Sequence, residues 1–241
     1  MSRRTRPPNG QPYVKLFNEL TYRFSPWEVW KDFIVMYACA LANPFDKVHY
    51  EAREDLYLKI IHKYNKKEQE LFPQLAAEVV NALEENPEQD FLGKLFMDFE
   101  LGNHMAGQFF TPYHVCECMA KMTVGNILPQ IEEQGYISMN DCCCGAGATL
   151  IAGIHEAKRV LDGKLNWQNH ILVTGQDIDR TTALMCYIQL SLLGAAGYIK
   201  IGNSLTEPMG TNDTSEDYWF TPMYFSDVWT FRRLIKGKTL L

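Results

Sequence analysis

The segment Asp141-Cys142-Cys143-Cys144-Gly145-Ala146-Gly147 constrains the fold more than any other, because it joins a strand-like run to a helical one through two glycines. Tyr136-Ile137-Ser138-Met139-Asn140 reads as a short strand, and after the turn Leu150, Ile151, Ile154, Ala157 and Leu161 recur with helical spacing. Glycine in such a turn admits positive φ and lets a ligand approach the backbone, while free N–H groups at the helix start attract an anionic or polar group. A Gly-x-Gly match alone is equally compatible with a purely structural turn.

The surrounding pattern extends this unit. Helix 112–127, strand 136–141, helix 147–161, strand 171–177, helix 179–193 and strand 197–202 alternate in the manner of a parallel doubly wound α/β sheet. Right-handed crossovers put the strand C-termini on one edge, so Asp141, Asp177 and Asn203 converge where open α/β sheets bind ligands. Residues 13–104 read instead as an all-helical layer, with segments expected at 48–64, 67–85 and 89–101. Ser25-Pro26-Trp27-Glu28 has the pattern of a capping box with proline at the first helical position, and Asn43-Pro44 and Asn86-Pro87 close helices. The ends differ again: residues 1–12 read as a basic flexible tail and 226–241 as a basic C-terminal tail, leaving 105–225 for the sheet.

Composition narrows the setting. With 241 residues, 46% of them hydrophobic and 22% charged, the chain can bury an ordinary core. It has no uninterrupted apolar run of about 18 residues, and Ser2-Arg3-Arg4-Thr5-Arg6-Pro7-Pro8 lacks the apolar stretch of a secretory signal, so a cytoplasmic, non-membrane protein is expected. Seven cysteines, three of them consecutive, do not suit a disulfide framework. Cys116 and Cys118 would project about 200° apart on a helix, and no second pair stands at zinc-finger spacing, so no metal site is expected. The net charge of -6 implies that any contact with DNA runs through a local patch or a partner. Arg3, Arg4 and Arg6 at one end, and Arg232, Arg233, Lys236 and Lys238 at the other, are the basic candidates, and solvated tails are their simpler reading.

The second acid lies in Gly175-Gln176-Asp177-Ile178-Asp179. A carboxylate there accepts hydrogen bonds from vicinal ribose hydroxyls, and Ile178 is placed to cover an adenine face. Asp179 suits the N-cap of the next helix. Asn203 offers an amide to an adenine edge or, equally, forms a turn.

Gly107-Gln108-Phe109-Phe110-Thr111-Pro112, Asp141-x-x-Cys144-Gly145-Ala146-Gly147, Gly175-Gln176-Asp177 and Gly202-Asn203-Ser204-Leu205 resemble, in this order, the cofactor motifs of adenine-N6 DNA methyltransferases. The resemblance is closest to the modification subunit of type I restriction-modification systems and covers about residues 20–225. It implies a Rossmann-like S-adenosylmethionine domain at 105–225. Phe110, Thr111 and Pro112 would border the methionine end, and Asp141 with Gly145 and Gly147 would hold the amino-acid portion. Asp177 would take the ribose, with Ile178 and Asn203 at the adenine. Phe109 and Phe110 also suit plain core packing.

The catalytic step departs from that pattern. The family carries Asn-Pro-Pro-Tyr or Asn-Pro-Pro-Phe at the end of a fourth strand, where an amide oxygen and a carbonyl orient the adenine amine and an aromatic stacks on the extruded base. Here the nearest match is Thr221-Pro222-Met223-Tyr224, in which threonine replaces the acceptor and Tyr224 keeps a stacking ring. A turn whose aromatics cover the sheet is the alternative. The expectation is a truncated sheet and a cofactor-binding chain with weak or absent catalysis of its own. It would be completed by a partner subunit or a second copy, or serve as an inactive regulatory subunit of a restriction-modification or phage-encoded assembly.

Overall fold

Proline and asparagine set several of the boundaries among the N-terminal helices. The computed structural model describes residues 11–101, 110–210 and 213–236. Its first part comprises α1 (Gln11–Leu20), α2 (Pro26–Ala42), α3 (Tyr50–Ile61), α4 (Lys66–Gln69), α5 (Leu71–Glu85) and α6 (Phe91–Asp98). Ser25 Oγ accepts the Glu28 N–H at 3.2 Å and caps α2, which ends at Asn43 before Pro44. The helix expected over 67–85 is two helices. Asn65 and Glu68 form a reciprocal capping box that starts α4, and Pro73 has no N–H to return to the Gln69 carbonyl, which interrupts the ladder near Glu70.

The α/β part contains α7 (Tyr113–Thr123), α8 (Leu128–Gln134), β1 (Ile137–Asp141), α9 (Ala148–Leu161), β2 (Ile171–Asp177), α10 (Arg180–Leu192), β3 (Ala196–Ile201), β4 (Tyr218–Phe220) and α11 (Asp227–Lys236). The single helix expected over 112–127 stops at Val124, where Gly125-Asn126 breaks it. Asn126 Oδ1 then accepts the Leu128 N–H at 3.3 Å and Pro129 opens α8.

The sheet order is β1-β2-β3-β4, with the first three strands parallel and Asp141 level with Gly175, Asp177 with Ile201. β4 corrects the expected all-parallel sheet: it runs antiparallel to β3, pairing Tyr198 with Phe220 and Lys200 with Tyr218. A parallel neighbour requires a crossover long enough to return the chain. The described residues between β3 and β4 form no α-helix, only the 3-10 turn Ser215–Asp217, and such a loop delivers an antiparallel strand. β1 is the other edge of the sheet, and Ser138 and Asn140 on it are exposed.

The helical layer and the sheet share one core. α10 lies between α2 and the sheet, and every residue from Thr181 to Leu190 is buried. Gln189 reaches across, its Oε1 accepting the Leu92 N–H at 3.1 Å. The residue 104/105 boundary read from the sequence is therefore no boundary in packing. The C-terminal tail expected at 226–241 is also revised: α11 docks through Trp229, whose Nε1 donates to the Gln168 carbonyl at 2.8 Å. Arg232 donates to the Gly135 and Asn169 carbonyls, and Arg233 to that of Tyr224. These guanidiniums are committed to the fold and do not form a solvated patch. Among the described residues, no helix is long and apolar enough to cross a membrane.

Candidate functional site

The turn after β1 is clamped from three sides. Asp141 Oδ1 accepts the Cys143 N–H at 3.0 Å and Oδ2 accepts the Thr149 hydroxyl, tying the strand end to the first turn of α9. Cys144 N–H donates to the Gln176 carbonyl at 3.0 Å, and Gly145 N–H to Asp177 Oδ2 at 2.8 Å, so the end of β2 holds the turn open. Gly145 (φ +51°) and Gly147 (φ +98°) lie in the left-handed region that favours glycine. A Cβ on Gly147 would come within 2.8 Å of Cys186 Sγ. Among the described residues no side chain caps α9, so the N–H groups of its first turn stand available to an acceptor.

The three consecutive cysteines have separate environments. Cys144 is buried with its thiol hydrogen-bonded to Cys186; that bond and burial raise its pKa well above the usual thiol range. Cys142 and Cys143 are exposed, and desolvation together with the Asp141 carboxylate pushes the Cys143 thiol up to about 11. The Cys143 and Cys144 thiols are protonated at neutral pH, which suits packing beside a tight turn and not nucleophilic chemistry. Among the described residues, no three His, Cys, Asp or Glu side chains are grouped to hold a metal.

Asp177 is part of the same frame. Its Oδ1 accepts the Asp179 N–H at 2.9 Å and the Thr182 hydroxyl at 3.1 Å, while Asp179 caps α10 through the Thr181 and Thr182 N–H groups. Oδ1 is thereby filled, while Oδ2, which accepts only the Gly145 N–H, retains acceptor capacity for a ligand hydroxyl. Ile178 beside it is 69% exposed, an apolar shelf at the strand end. Asn203 forms a turn, its Oδ1 accepting the Leu205 N–H at 2.9 Å and the Thr206 N–H at 3.4 Å.

Two concavities meet at Asp141. A pocket of about 280 Å³ is lined by Asp90, Phe110, Thr111, Asp141, Gly145 and Thr149, among others. A groove of about 500 Å³ follows the free edge of β1 between α7 and α9, past Met119, Ser138 and Asn140. Phe110 stacks obliquely against Phe96 with centroids 5.3 Å apart and approaches Gly145, where a Cβ would meet its ring at 3.3 Å. Thr111 is exposed, and Pro112 is the N-cap residue of α7. Gly107, Gln108 and Phe109 lie outside the described residues.

Asp90 is the pocket residue that the sequence reading missed. It precedes α6, is 8% exposed, and its Oδ1 accepts the Gly93 N–H and the Gln189 amide, each at 2.8 Å. Burial raises its carboxyl above the ordinary aspartate range. In the sequence, Asp90-Phe91-Leu92-Gly93 signals a helix cap and nothing more; only the fold carries it 51 residues along the chain to face Asp141.

Thr221, Pro222 and Tyr224 are not brought to this edge. Because β4 runs antiparallel, Thr221 sits at the end of the sheet opposite Asp141 and Asp177. It is fully buried, its hydroxyl donating to the Ala195 carbonyl at 2.7 Å and accepting the Gly197 N–H at 3.0 Å. Pro222 opens a 3-10 turn. Tyr224 stacks on Phe220 at 4.9 Å and beneath Arg233 at 4.0 Å. The expected catalytic position at the end of a fourth parallel strand is thus replaced by a lock closing the far edge of the sheet.

The arrangement at the near edge can hold a ligand with a charged amino-acid-like end and a hydroxylated, flat end: carboxylates and N–H groups that no described side chain caps surround the pocket, and a carboxylate with an apolar shelf follows it. Comparison with curated proteins gives no match. Residues 93–240, more than half of the chain, match the family model for N-6 DNA methylase, and the chain belongs to this family of adenine-N6 DNA methyltransferases.

Proposed function

We propose that the chain binds S-adenosylmethionine at the Asp141–Asp177 edge of a Rossmann-like domain and takes part in methyl transfer to adenine N6 of DNA jointly with another polypeptide. The observation that carries this reading is the convergence of Asp141, the Gly145–Gly147 turn and Asp177 beside the uncapped N-terminus of α9. Phe110, Thr111 and Pro112 border the methionine end, while Asp141, Gly145 and Gly147 hold the amino-acid portion. Asp177 accepts a ribose hydroxyl and Ile178 covers the adenine. Asn203, whose oxygen is engaged by two N–H groups, keeps its amide as a donor to the adenine edge. The bound group supplies an electrophilic methyl on a sulfonium; the chain's own residues bind and orient it.

Base positioning is the part assigned to the other polypeptide. Thr221 and Tyr224 are buried at the opposite edge, the net charge is -6, and of the basic residues singled out in the sequence Arg232 and Arg233 are engaged internally, while Arg3, Arg4, Arg6 and Lys238 lie outside the described residues. The same features favour a second reading, a catalytically inactive methyltransferase-like subunit of a restriction-modification or phage-encoded assembly. In either case the setting is cytoplasmic.

Titration calorimetry with S-adenosylmethionine tests the first part, and absence of heat with folded protein overturns it. Methyl incorporation into unmodified DNA separates the two readings: incorporation that requires an added partner supports the first, and none with any co-purifying subunit supports the second. Thr221→Asn is expected not to restore methylation by the chain alone, because the new amide would lie at the wrong edge, and to lower stability by crowding a closed site. Methylation gained in that variant would show that the far edge is catalytic after all.

A further inference from the structure

The pocket beside the turn contains two carboxylates in different states of engagement. Both oxygens of Asp141 already accept bonds, from the Cys143 N–H and the Thr149 hydroxyl. Asp90 has Oδ1 fixed by Gly93 and Gln189, while Oδ2 accepts nothing from any described residue and no described cation pairs with it. An aspartate that is more than nine-tenths buried without a cation is costly to keep ionised, and such a group lining a ligand pocket is matched by a cationic ligand atom.

We propose that Asp90 is the positioning residue that accepts the α-ammonium group of the methyl donor's amino-acid end, an inference that rests on the cofactor reading above. A free α-amino acid group is a zwitterion, and this pocket has a complement for each half. The Asp90 carboxylate, which lines the pocket, takes the ammonium, and the N–H groups of the first turn of α9, which no described side chain caps, take the carboxylate.

Gln189 makes the placement rigid. It is fully buried, and its Nε2 donates both to Asp90 Oδ1 and to the Ala146 carbonyl at 2.8 Å, so one amide ties the carboxylate to the glycine turn. The helical layer, through α6, thereby contributes directly to the ligand pocket. Gly93 belongs to the same device: a Cβ there would lie 2.0 Å from Asp90 Oδ2.

The test compares wild type with Asp90→Asn and Asp90→Ser by calorimetry and thermal melting. Asparagine keeps an acceptor for Gly93 and serine keeps a cap, so both variants are expected to melt at or above the wild-type temperature while binding S-adenosylmethionine roughly ten- to a hundredfold more weakly. The decisive readout is discrimination between S-adenosylhomocysteine and its analogue lacking the α-amino group. Wild type should prefer the amine-bearing ligand, and that preference should collapse in both variants. Folded variants that keep the wild-type preference overturn the assignment of Asp90 and leave cofactor binding standing. Wild type that binds neither ligand overturns the cofactor reading itself.

Discussion

Asp177→Ala is expected to weaken S-adenosylmethionine binding by roughly ten- to a hundredfold. A hydrogen bond from a ribose hydroxyl to the remaining lone pair of Asp177 Oδ2 contributes about 1.5–3 kcal/mol, which corresponds to that factor. The loss has a second source, because Asp177 also builds the site. Its Oδ2 holds the Gly145 N–H at 2.8 Å and its Oδ1 holds Asp179 and Thr182, so alanine leaves the turn without its anchor on β2. Two measurements separate the causes. Calorimetry gives the affinity, and a melt without ligand gives the structural cost, expected at about 1–3 kcal/mol for donors left unsatisfied. Affinity unchanged within twofold would remove Asp177 from the ligand site.

The largest stability effect is expected at Arg53. This buried side chain on α3 donates to Asp46 Oδ2 at 2.7 Å and to the Tyr218 carbonyl at 2.9 Å, and its guanidinium lies 4.0 Å from the centre of the Trp219 ring. It thus pins β4 to the helical layer. Arg53→Ala leaves Asp46, which is wholly buried, with His49 as its other partner at 2.8 Å. Breaking a buried pair on one side costs about 3–5 kcal/mol, which is about 6–20 °C in melting temperature for a chain of this size. The double variant Asp46→Asn with Arg53→Met should recover much of the loss, since it leaves no bare charge. Chemical denaturation of the three proteins checks both statements; a loss below about 1 kcal/mol for Arg53→Ala would mean that the pair is not structurally important.

The residues from Ile137 to Ile201 were legible in the sequence because each signal there is local. Strand alternation, the capping Asp179 and the glycines at positive φ are fixed by neighbours a few residues away, and β1, α9, β2, α10 and β3 lie within a residue or two of their expected bounds. Asp90 was not legible, since a capping aspartate and a ligand-facing one have the same sequence context and differ only in what the fold sets opposite. The direction of β4 was hidden for another reason: Tyr218-Trp219-Phe220 is apolar at every position, so its pattern specifies burial but neither neighbour nor orientation. α11 was obscured by its charge. Arg232 and Arg233 look like a solvated tail until the carbonyls of Gly135, Asn169 and Tyr224 are found to receive them.

α10 has a consequence for how such a chain can be inherited. Its residues from Thr181 to Leu190 are buried on all sides, by the sheet on one face and by α2 on another. A gene fragment beginning after the helical layer would encode this helix with the sheet on one face and the face that α2 covers left bare. The part that carries the family's motifs is therefore not a portable module: recombination that moves it into another protein must take the first hundred residues with it or supply an equivalent helix, so the two halves are bound to diverge together.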